Sequence, residues 1–203
     1  MKYFTISMML LLSGSSISMA IEEPKYKVLN VDGDIEIREY SSYCIAETFI
    51  SAPDFNDASN AGFKKLFGFI SGNNRTNKDI QMAAPVTTSR SEKIDMTAPV
   101  TSTKTPEGFM IGFVMPEGFT PETTPIPSDS TIIIRKVNAR TVAVIRFSGR
   151  WTSTSMDEHE QELKQWLTTN RYLPIGQPVI ARYDPPFMPW FMRRNEIHIE
   201  IVK

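Results

Sequence analysis

The segment from Tyr183 to Glu196 holds the side chains whose types could most readily do chemistry. It contains three prolines and four aromatic residues, and it ends in Arg193 and Arg194 just before a final strand. Aromatic and methionine side chains make a polarizable apolar wall, and guanidinium groups pair with carboxylates. This composition predicts one wall of a site for a flat, apolar ligand that carries carboxylates. The alternative is a rigid loop over one end of a β-barrel, with its arginines paired to acids.

The two histidines are the next candidates. Alternation along the last strand puts His198 on the face opposite the isoleucines, which predicts a solvent-facing side chain. His159 lies on the apolar face of a predicted helix and is the one candidate metal ligand, although the pattern leaves it unknown whether a metal binds. The alternative for His159 is a hydrogen-bonded histidine at the edge of the core.

Familiar catalytic motifs are missing from the sequence. There is no His-Glu-x-x-His, no Gly-x-Ser-x-Gly and no phosphate-binding loop, and a single cysteine excludes Cys-x-x-Cys. An acid–base pair could be drawn from Glu36, Glu39, Glu47 and Tyr183, but no spacing singles any of them out. We therefore predict no catalytic residues and a protein that is not an enzyme.

One short phrase occurs twice, at residues 80–87 and 94–101. Both copies read Ile-x-Met-(Ala/Thr)-Ala-Pro-Val-Thr. The alternation and the β-branched residues predict two strands, joined by a turn at residues 89–93. Met82 and Met96 are predicted to lie in the core.

The first 20 residues have the pattern of a signal peptide. Lys2 precedes a mostly apolar stretch, and Ala20 ends a small-residue cleavage site. We expect export to a periplasm, or secretion, of a chain that starts at Ile21 and forms a single domain over residues 21–203. No later segment is apolar enough to span a bilayer.

Composition narrows the possible partners. The formal net charge of −1 predicts no affinity for nucleic acid. The single cysteine, Cys44, cannot form an internal disulfide, so the core must stabilise the fold. We expect a monomer without a stable membrane span.

A weak internal repeat relates the two ends of residues 21–203. Residues 35–51 align with residues 132–148, with an arginine, an alanine and a serine identical in the two copies. Each copy predicts β-β-α-β-β, so the halves are about residues 26–115 and 131–203. Their helices are predicted at roughly residues 54–70 and 156–170, the second capped by Ser155 with Glu158. The proline-rich residues 116–129 link the halves.

These patterns together resemble the SOUL haem-binding proteins. The resemblance runs from about Tyr26 to the end of the chain. It implies an α+β fold, a distorted antiparallel β-barrel flanked by two helices and built from two pseudo-symmetric β-β-α-β-β halves. It is carried by motifs at residues 35–40, 63–74, 96–100, 125–129, 147–149, 183–186 and 193–196.

The resemblance also implies a ligand, haem or another tetrapyrrole held non-covalently in an apolar groove against the first helix. Basic side chains there would meet the ligand's carboxylates, and no histidine lies on that helix to ligate iron. The groove residues on the helix are then Phe63, Leu66, Phe67 and Ile70, with Lys64 and Lys65 for the carboxylates and Phe187, Met188 and Arg193 from the C-terminal segment.

Three functions fit these expectations. The first is an exported tetrapyrrole carrier, buffer or scavenger. The second is a small-molecule hydrolase or isomerase with the same fold, which needs a convergent acid–base pair in a pocket. The third is an interaction or stress scaffold whose haem binding is incidental. A cavity of several hundred Å³ would favour the first two.

Overall fold

A large antiparallel sheet dominates the computed structural model, which describes residues 21–76 and 91–202. Two helices accompany it, so the α+β class expected from the resemblance is confirmed. The strands and helices are β1 (Tyr26–Asp32), β2 (Ile35–Tyr40), β3 (Tyr43–Ile50), α1 (Phe55–Ile70), β4 (Asn74–Arg75), β5 (Val100–Thr105), β6 (Gly108–Val114), β7 (Ile126–Pro127), β8 (Ile132–Val137), β9 (Arg140–Phe147), α2 (Ser153–Thr169), β10 (Leu173–Arg182), a 3-10 turn (Trp190–Met192) and β11 (Asn195–Val202).

The strand order of the large sheet is β1-β2-β9-β11-β10-β5-β6-β3-β8, with antiparallel neighbours throughout; β4 and β7 form a separate pair. Strands β1 and β8 are the two edges. Barrel closure requires a ladder on both sides of every strand. In the described residues β1 pairs with β2 alone and β8 with β3 alone, so the expected closed barrel is not formed.

Helix α1 packs against β3 and β6. Asp54 caps its start, because the Asp54 carboxylate accepts hydrogen bonds from the backbone N–H groups of Asn56 and Asp57 at 2.8 and 3.0 Å. Gly62 faces Ile111 so closely that a Cβ atom would lie 2.5 Å from that side chain. The backbone of α1 therefore lies in close contact with the sheet. The predicted boundaries and apolar face of the helix agree with this packing.

Helix α2 covers a second core formed by isoleucines of β11 with Leu163 and Leu167. The predicted capping box is wrong in position. Thr152 is the N-cap, and its hydroxyl accepts from the Ser155 N–H at 3.2 Å, so the helix starts three residues before Met156. A threonine satisfies the same orphan donor as a serine, and the sequence around it offers both.

The second copy of the repeated phrase is not a strand before Val100. Its backbone groups bond elsewhere: the Ile94 N–H donates to the Ile70 carbonyl and the Ala98 N–H donates to the Glu22 carbonyl. Met96 is 43% exposed and therefore not in the core, which corrects that prediction. The first copy, with Met82, lies outside the described residues, as does the predicted signal peptide.

The described helices are too short or too polar to cross a membrane.

Candidate ligand-binding site

A cavity of about 390 Å³ lies between α1 and the C-terminal segment. It falls within the size range of small-molecule sites, about 300–1,000 Å³. Much of its lining is apolar or aromatic. The lining comes from Ser59, Asn60 and Phe63 on α1, from Ile21, Val100 and Trp151, and from residues 96–98 and 182–187.

Aromatic rings form the sides of this cavity. Phe63 meets the ring of Phe113 edge-on, with centroids 5.3 Å apart, and lies nearly parallel to Phe67 at 5.8 Å. The Trp151 indole N–H donates to the Asn195 side-chain oxygen at 2.8 Å, which fixes the orientation of that ring. A site with oriented rings can accept a flat apolar molecule with little reordering.

Arg182 is the basic side chain in the cavity wall. Its guanidinium lies 5.1 Å from the Phe55 ring and 4.8 Å from the Trp151 ring, and it donates from Nη2 to the Ser59 hydroxyl. Burial lowers the pKa of Arg182 to about 10, so the side chain remains a cation at neutral pH.

Arg193 holds the C-terminal loop in place. It donates from Nε to the Met188 carbonyl at 2.9 Å and from Nη2 to the Pro186 carbonyl at 2.6 Å, and its guanidinium stacks on Trp151 at 4.3 Å. The loop carries Phe187 at 85% exposure beside the cavity mouth. Such a rigid loop with an exposed aromatic residue is compatible both with a ligand-binding wall and with a purely structural loop.

A buried ionic cluster anchors the same segment on the face of the sheet opposite the isoleucines of β11, which we call the inner face. The fully buried Glu196 carboxylate accepts from Arg38 at 2.8 and 3.1 Å and from the Tyr183 hydroxyl at 2.7 Å. Arg194 donates to Glu196 at 2.9 Å and stacks on Tyr183. Arg194, one of the two arginines near the end of the segment, is therefore paired with an acid. The alternative of a rigid loop with acid-paired arginines predicted this contact.

Two groups of the cluster have pKa values shifted in opposite directions from their ordinary values. Burial alone would raise the pKa of Glu196, but the hydrogen bonds and charges of His198 and Arg38 hold that pKa well below its usual range. Burial raises the pKa of Tyr183. The cluster therefore contains a carboxylate and a neutral phenol across the physiological pH range.

Sequence comparison assigns the family. The chain matches the sequence model of the SOUL heme-binding protein over residues 21–200. The chain belongs to the SOUL family. It is 29% identical to heme-binding protein 2 of Mus musculus, with 89% of this chain and 90% of the relative covered, and 25% identical to heme-binding protein 1 of Xenopus laevis, with 80% of each covered.

Solved structures share the fold of this SOUL protein at low identity. The C-terminal domain of EcmrR has a TM-score of 0.53 at 17% identity, covering 88% of this chain and 98% of that domain. A hydrolase from Listeria innocua has a TM-score of 0.52 at 7% identity, covering 86% and 94%. These likenesses concern the fold alone.

The groove residues expected on α1 do not all reach the cavity of the SOUL protein. Phe63 lines it, whereas Leu66 and Ile70 are buried in the core between α1 and the sheet. Phe67 is 47% exposed and lies beside Phe63. The apolar arc of α1 is wide because most of it contacts the sheet.

The expected basic residues of α1 point elsewhere. The Lys65 ammonium donates to the Thr131 hydroxyl at 3.0 Å and lies 3.7 Å from the Asp129 carboxylate, at the far end of the linker. Lys64 is exposed and does not line the cavity. In the C-terminal segment Phe187 lines the cavity, while Met188 is half-buried and contributes its carbonyl to Arg193.

His159 lies outside the cavity that α1 lines. Its ring stacks on Phe147 with centroids 3.9 Å apart, and its Nδ1 hydrogen-bonds to the Ser155 carbonyl at 2.6 Å. This is the hydrogen-bonded histidine at the core edge that the alternative described. Within residues 21–76 and 91–202, no three His, Cys, Asp or Glu side chains gather as a metal site would require.

The prediction for His198 is wrong. His198 is 7% exposed, and its Nε2 hydrogen-bonds to Glu196 at 2.8 Å. The alternation was read correctly, but the face opposite the isoleucines is buried as well. Tyr40 and Tyr183 cover it there.

The inner cluster leaves almost no room for a substrate. Beside His198 and Tyr183 lies a cavity of about 20 Å³, enough for roughly one water molecule. Of the acids that might have formed a catalytic pair, Glu36 bonds to Arg38, and Glu47 bonds to Arg135 at 2.5 and 2.8 Å. Both of these carboxylates are therefore paired with arginines.

Sequence reasoning missed Arg182, Ser59 and Trp151. Arg182 sits in a strand without a motif of its own, directly before Tyr183. Trp151 lies two residues after the motif at residues 147–149, and this proximity was the one signal in the sequence that could have identified it. Their proximity depends on α1, β10 and the start of α2 meeting in space.

Proposed function

We propose that this SOUL protein binds haem or another tetrapyrrole non-covalently in the cavity between α1 and the C-terminal segment. The observation that carries the proposal is the cavity itself, about 390 Å³ with oriented aromatic walls. Membership of a heme-binding family supports the ligand class. We also propose that Phe187, which is exposed at the cavity mouth, covers the bound macrocycle.

Apolar contact supplies most of the proposed binding energy. Burial of apolar surface contributes roughly 25 cal/mol per Å² before the costs of association. Phe63 offers an aromatic ring for contact with a planar macrocycle, and Met96 offers a polarizable thioether. These residues fit the organic part of a haem.

Neither histidine lines this cavity, so the proposal assigns no imidazole to the iron. The macrocycle and its carboxylates then determine affinity. When bound, a haem would add redox and gas-binding chemistry that the chain lacks. The chain's own contribution is to hold the ring and exclude water from it.

The proposed physiological role is that of an exported carrier, buffer or scavenger. Signal-peptide features of residues 1–20 support export. The size of the cavity argues against the scaffold alternative, and the small inner cavity argues against the enzyme.

We further propose that the fold descends from two related halves. The strand order supports this proposal, because β2-β9-β11-β10 from one end corresponds to β8-β3-β6-β5 from the other. Within these two series each half thereby contributes one strand, β2 or β8, to the other half's end of the sheet.

The test compares two exposed methionines. Met96 lines the cavity at 43% exposure, and Met192 is 62% exposed on the loop outside it. The purified protein is titrated with haemin and with iron-free protoporphyrin, followed by absorbance. Met96→Glu should weaken both by about tenfold or more, equivalent to about 1.4 kcal/mol, while Met192→Glu should bind like the unmodified protein.

Two outcomes would contradict the proposal. If neither porphyrin binds the unmodified protein, the ligand class is wrong. If Met192→Glu weakens binding and Met96→Glu does not, the ligand lies on the outer side of the loop. Haemin binding that exceeds protoporphyrin binding by far more than about tenfold, and that is lost in His159→Ala, would identify an imidazole bond to iron.

A further inference from the structure

Arg182 differs from the buried or half-buried Arg38, Arg140 and Arg194 in having no acidic partner among the described residues. The half-buried Arg193 has none there either, but it donates to two carbonyls of the C-terminal loop. The Arg182 side chain is largely enclosed, and its Nε is fully buried without a hydrogen-bond partner. In the described part of the chain, no carboxylate oxygen lies within 4.0 Å of its guanidinium nitrogens. Carboxylates do lie within that distance of Arg38, Arg135, Arg140 and Arg194.

The neighbours of Arg182 hold the guanidinium without neutralising it. The rings of Phe55 and Trp151 offer their π-faces, and the Ser59 hydroxyl accepts one hydrogen bond. A buried donor without an acceptor destabilises a fold, and a buried cation without a counter-charge destabilises it further. A ligand that brings a carboxylate into the cavity would supply the missing counter-charge.

A carboxylate fits this position better than a phosphate. The guanidinium fork matches the two oxygens of a planar carboxylate, and one cation neutralises its single charge. A phosphate would bring about two charges and need further donors. The acid in the same wall, Asp184, accepts from the Arg194 N–H at 2.5 Å and repels a second anion. The rest of the wall is mainly apolar.

We infer that Arg182 receives one carboxylate of the ligand at the inner wall of the cavity and selects apolar ligands that carry an acid group. The inference rests on the proposed function and adds the orientation of the ligand. One carboxylate enters beside Trp151, the apolar body lies against Phe63 and Met96, and any second carboxylate stays at the mouth with the solvent. Lys64 and Lys65 take no part.

The experiment crosses one variant with one ligand change. The unmodified protein and Arg182→Met are titrated with protoporphyrin and with its dimethyl ester, which keeps the macrocycle and removes both negative charges. Arg146→Met is the matched control, because Arg146 is an exposed arginine of β9 outside this cavity. Thermal unfolding of each ligand-free protein is recorded in parallel.

Esterification should weaken binding to the unmodified protein by about tenfold or more. Arg182→Met should weaken protoporphyrin binding by a similar factor and should not distinguish acid from ester. Arg146→Met should behave like the unmodified protein. The ligand-free Arg182→Met should unfold at the same temperature or higher, because an uncompensated buried charge has been replaced by an apolar side chain.

Equal affinity of the unmodified protein for acid and ester would overturn the inference and leave the proposed function standing. So would an Arg182→Met that still prefers the acid by the full factor. Failure of both porphyrins to bind the unmodified protein would overturn the proposed function instead. If Arg182→Met does not fold, Arg182→Lys replaces it, and a preference for the acid that is unchanged there would count against a guanidinium fork.

Discussion

Glu196 shows how a single buried residue depends on its partners. Its carboxylate is completely enclosed and meets two arginines, a tyrosine and His198. Removal of one partner from such a cluster leaves a charge without compensation, which typically destabilises a protein by about 3–5 kcal/mol. The cluster joins β2 to β11 and orients the start of the C-terminal loop through Tyr183.

His198 should make stability depend on pH. Burial lowers the pKa of His198 below its ordinary 6.5. Below about pH 6.5 the unfolded chain takes up a proton that the folded protein refuses, so stability falls as the pH falls. The loss reaches up to about 1.4 kcal/mol per pH unit until the folded protein is also protonated. Urea unfolding at about pH 7 and about pH 5.5 measures it.

His198→Gln should flatten this dependence, because an amide can still donate to Glu196 but does not titrate. His159→Gln, which removes the chain's other histidine, is the matched variant. If the loss of stability at low pH persists in His198→Gln and vanishes in His159→Gln, the pH dependence comes from His159 and the prediction is wrong.

At the scale of elements, α1 is the part that joins the core to the cavity. Leu66 and Ile70 bury one side of the helix, and Ser59 and Phe63 present another side to the cavity. The distance between α1 and β6 therefore sets the position of the cavity wall. Gly62 sets that distance, because its lack of a side chain lets the helix backbone approach Ile111 closely.

Gly62→Ala should destabilise the protein by roughly 1–3 kcal/mol, because the new methyl group would overlap Ile111 and push the helix away. Gly68→Ala on the same helix is the matched control. Its Cβ would meet the end of the Asn73 side chain at 3.2 Å, which can move, and helix propensity favours alanine by about 0.5–1 kcal/mol. Urea unfolding compares the two; equal losses would show that α1 does not need close contact at residue 62.

At the scale of the whole molecule, the cavity is assembled from distant parts of the chain. Ile21, α1, residues 96–98, Trp151 and residues 182–187 all contribute. No single element forms the site. Ile21 lines the cavity, so the proposed cleavage after Ala20 would place the new N-terminus beside it.

We expect export to release a chain whose first residue is Ile21. The full sequence, expressed in a bacterial host, should yield a periplasmic protein with the mass of residues 21–203, because the charged start, apolar stretch and Ala20 fit signal-peptidase cleavage. Intact-mass spectrometry of the periplasmic and cytoplasmic fractions measures it. A soluble cytoplasmic protein that retains Met1 would contradict export.

Local patterns were sufficient for much of this protein. Periodicity located α1 to within one residue, and ordered motifs identified the family, because both signals lie within short stretches of chain. The C-terminal segment was recognised as unusual from composition alone. The resemblance implied the α+β class, and the strand and helix patterns agreed with it.

Tertiary structure decided which face of each element is covered and which charge lacks a partner. His198 alternates as a solvent-facing residue does, yet Tyr40 and Glu196 enclose it. Arg38 and Glu196, 158 positions apart, form one ion pair. Arg182 instead lines a mainly apolar cavity, and no carboxylate of the described residues lies within 4.0 Å of its guanidinium nitrogens. Burial and charge compensation are sums over neighbours from the whole chain, so no local stretch of sequence contains them.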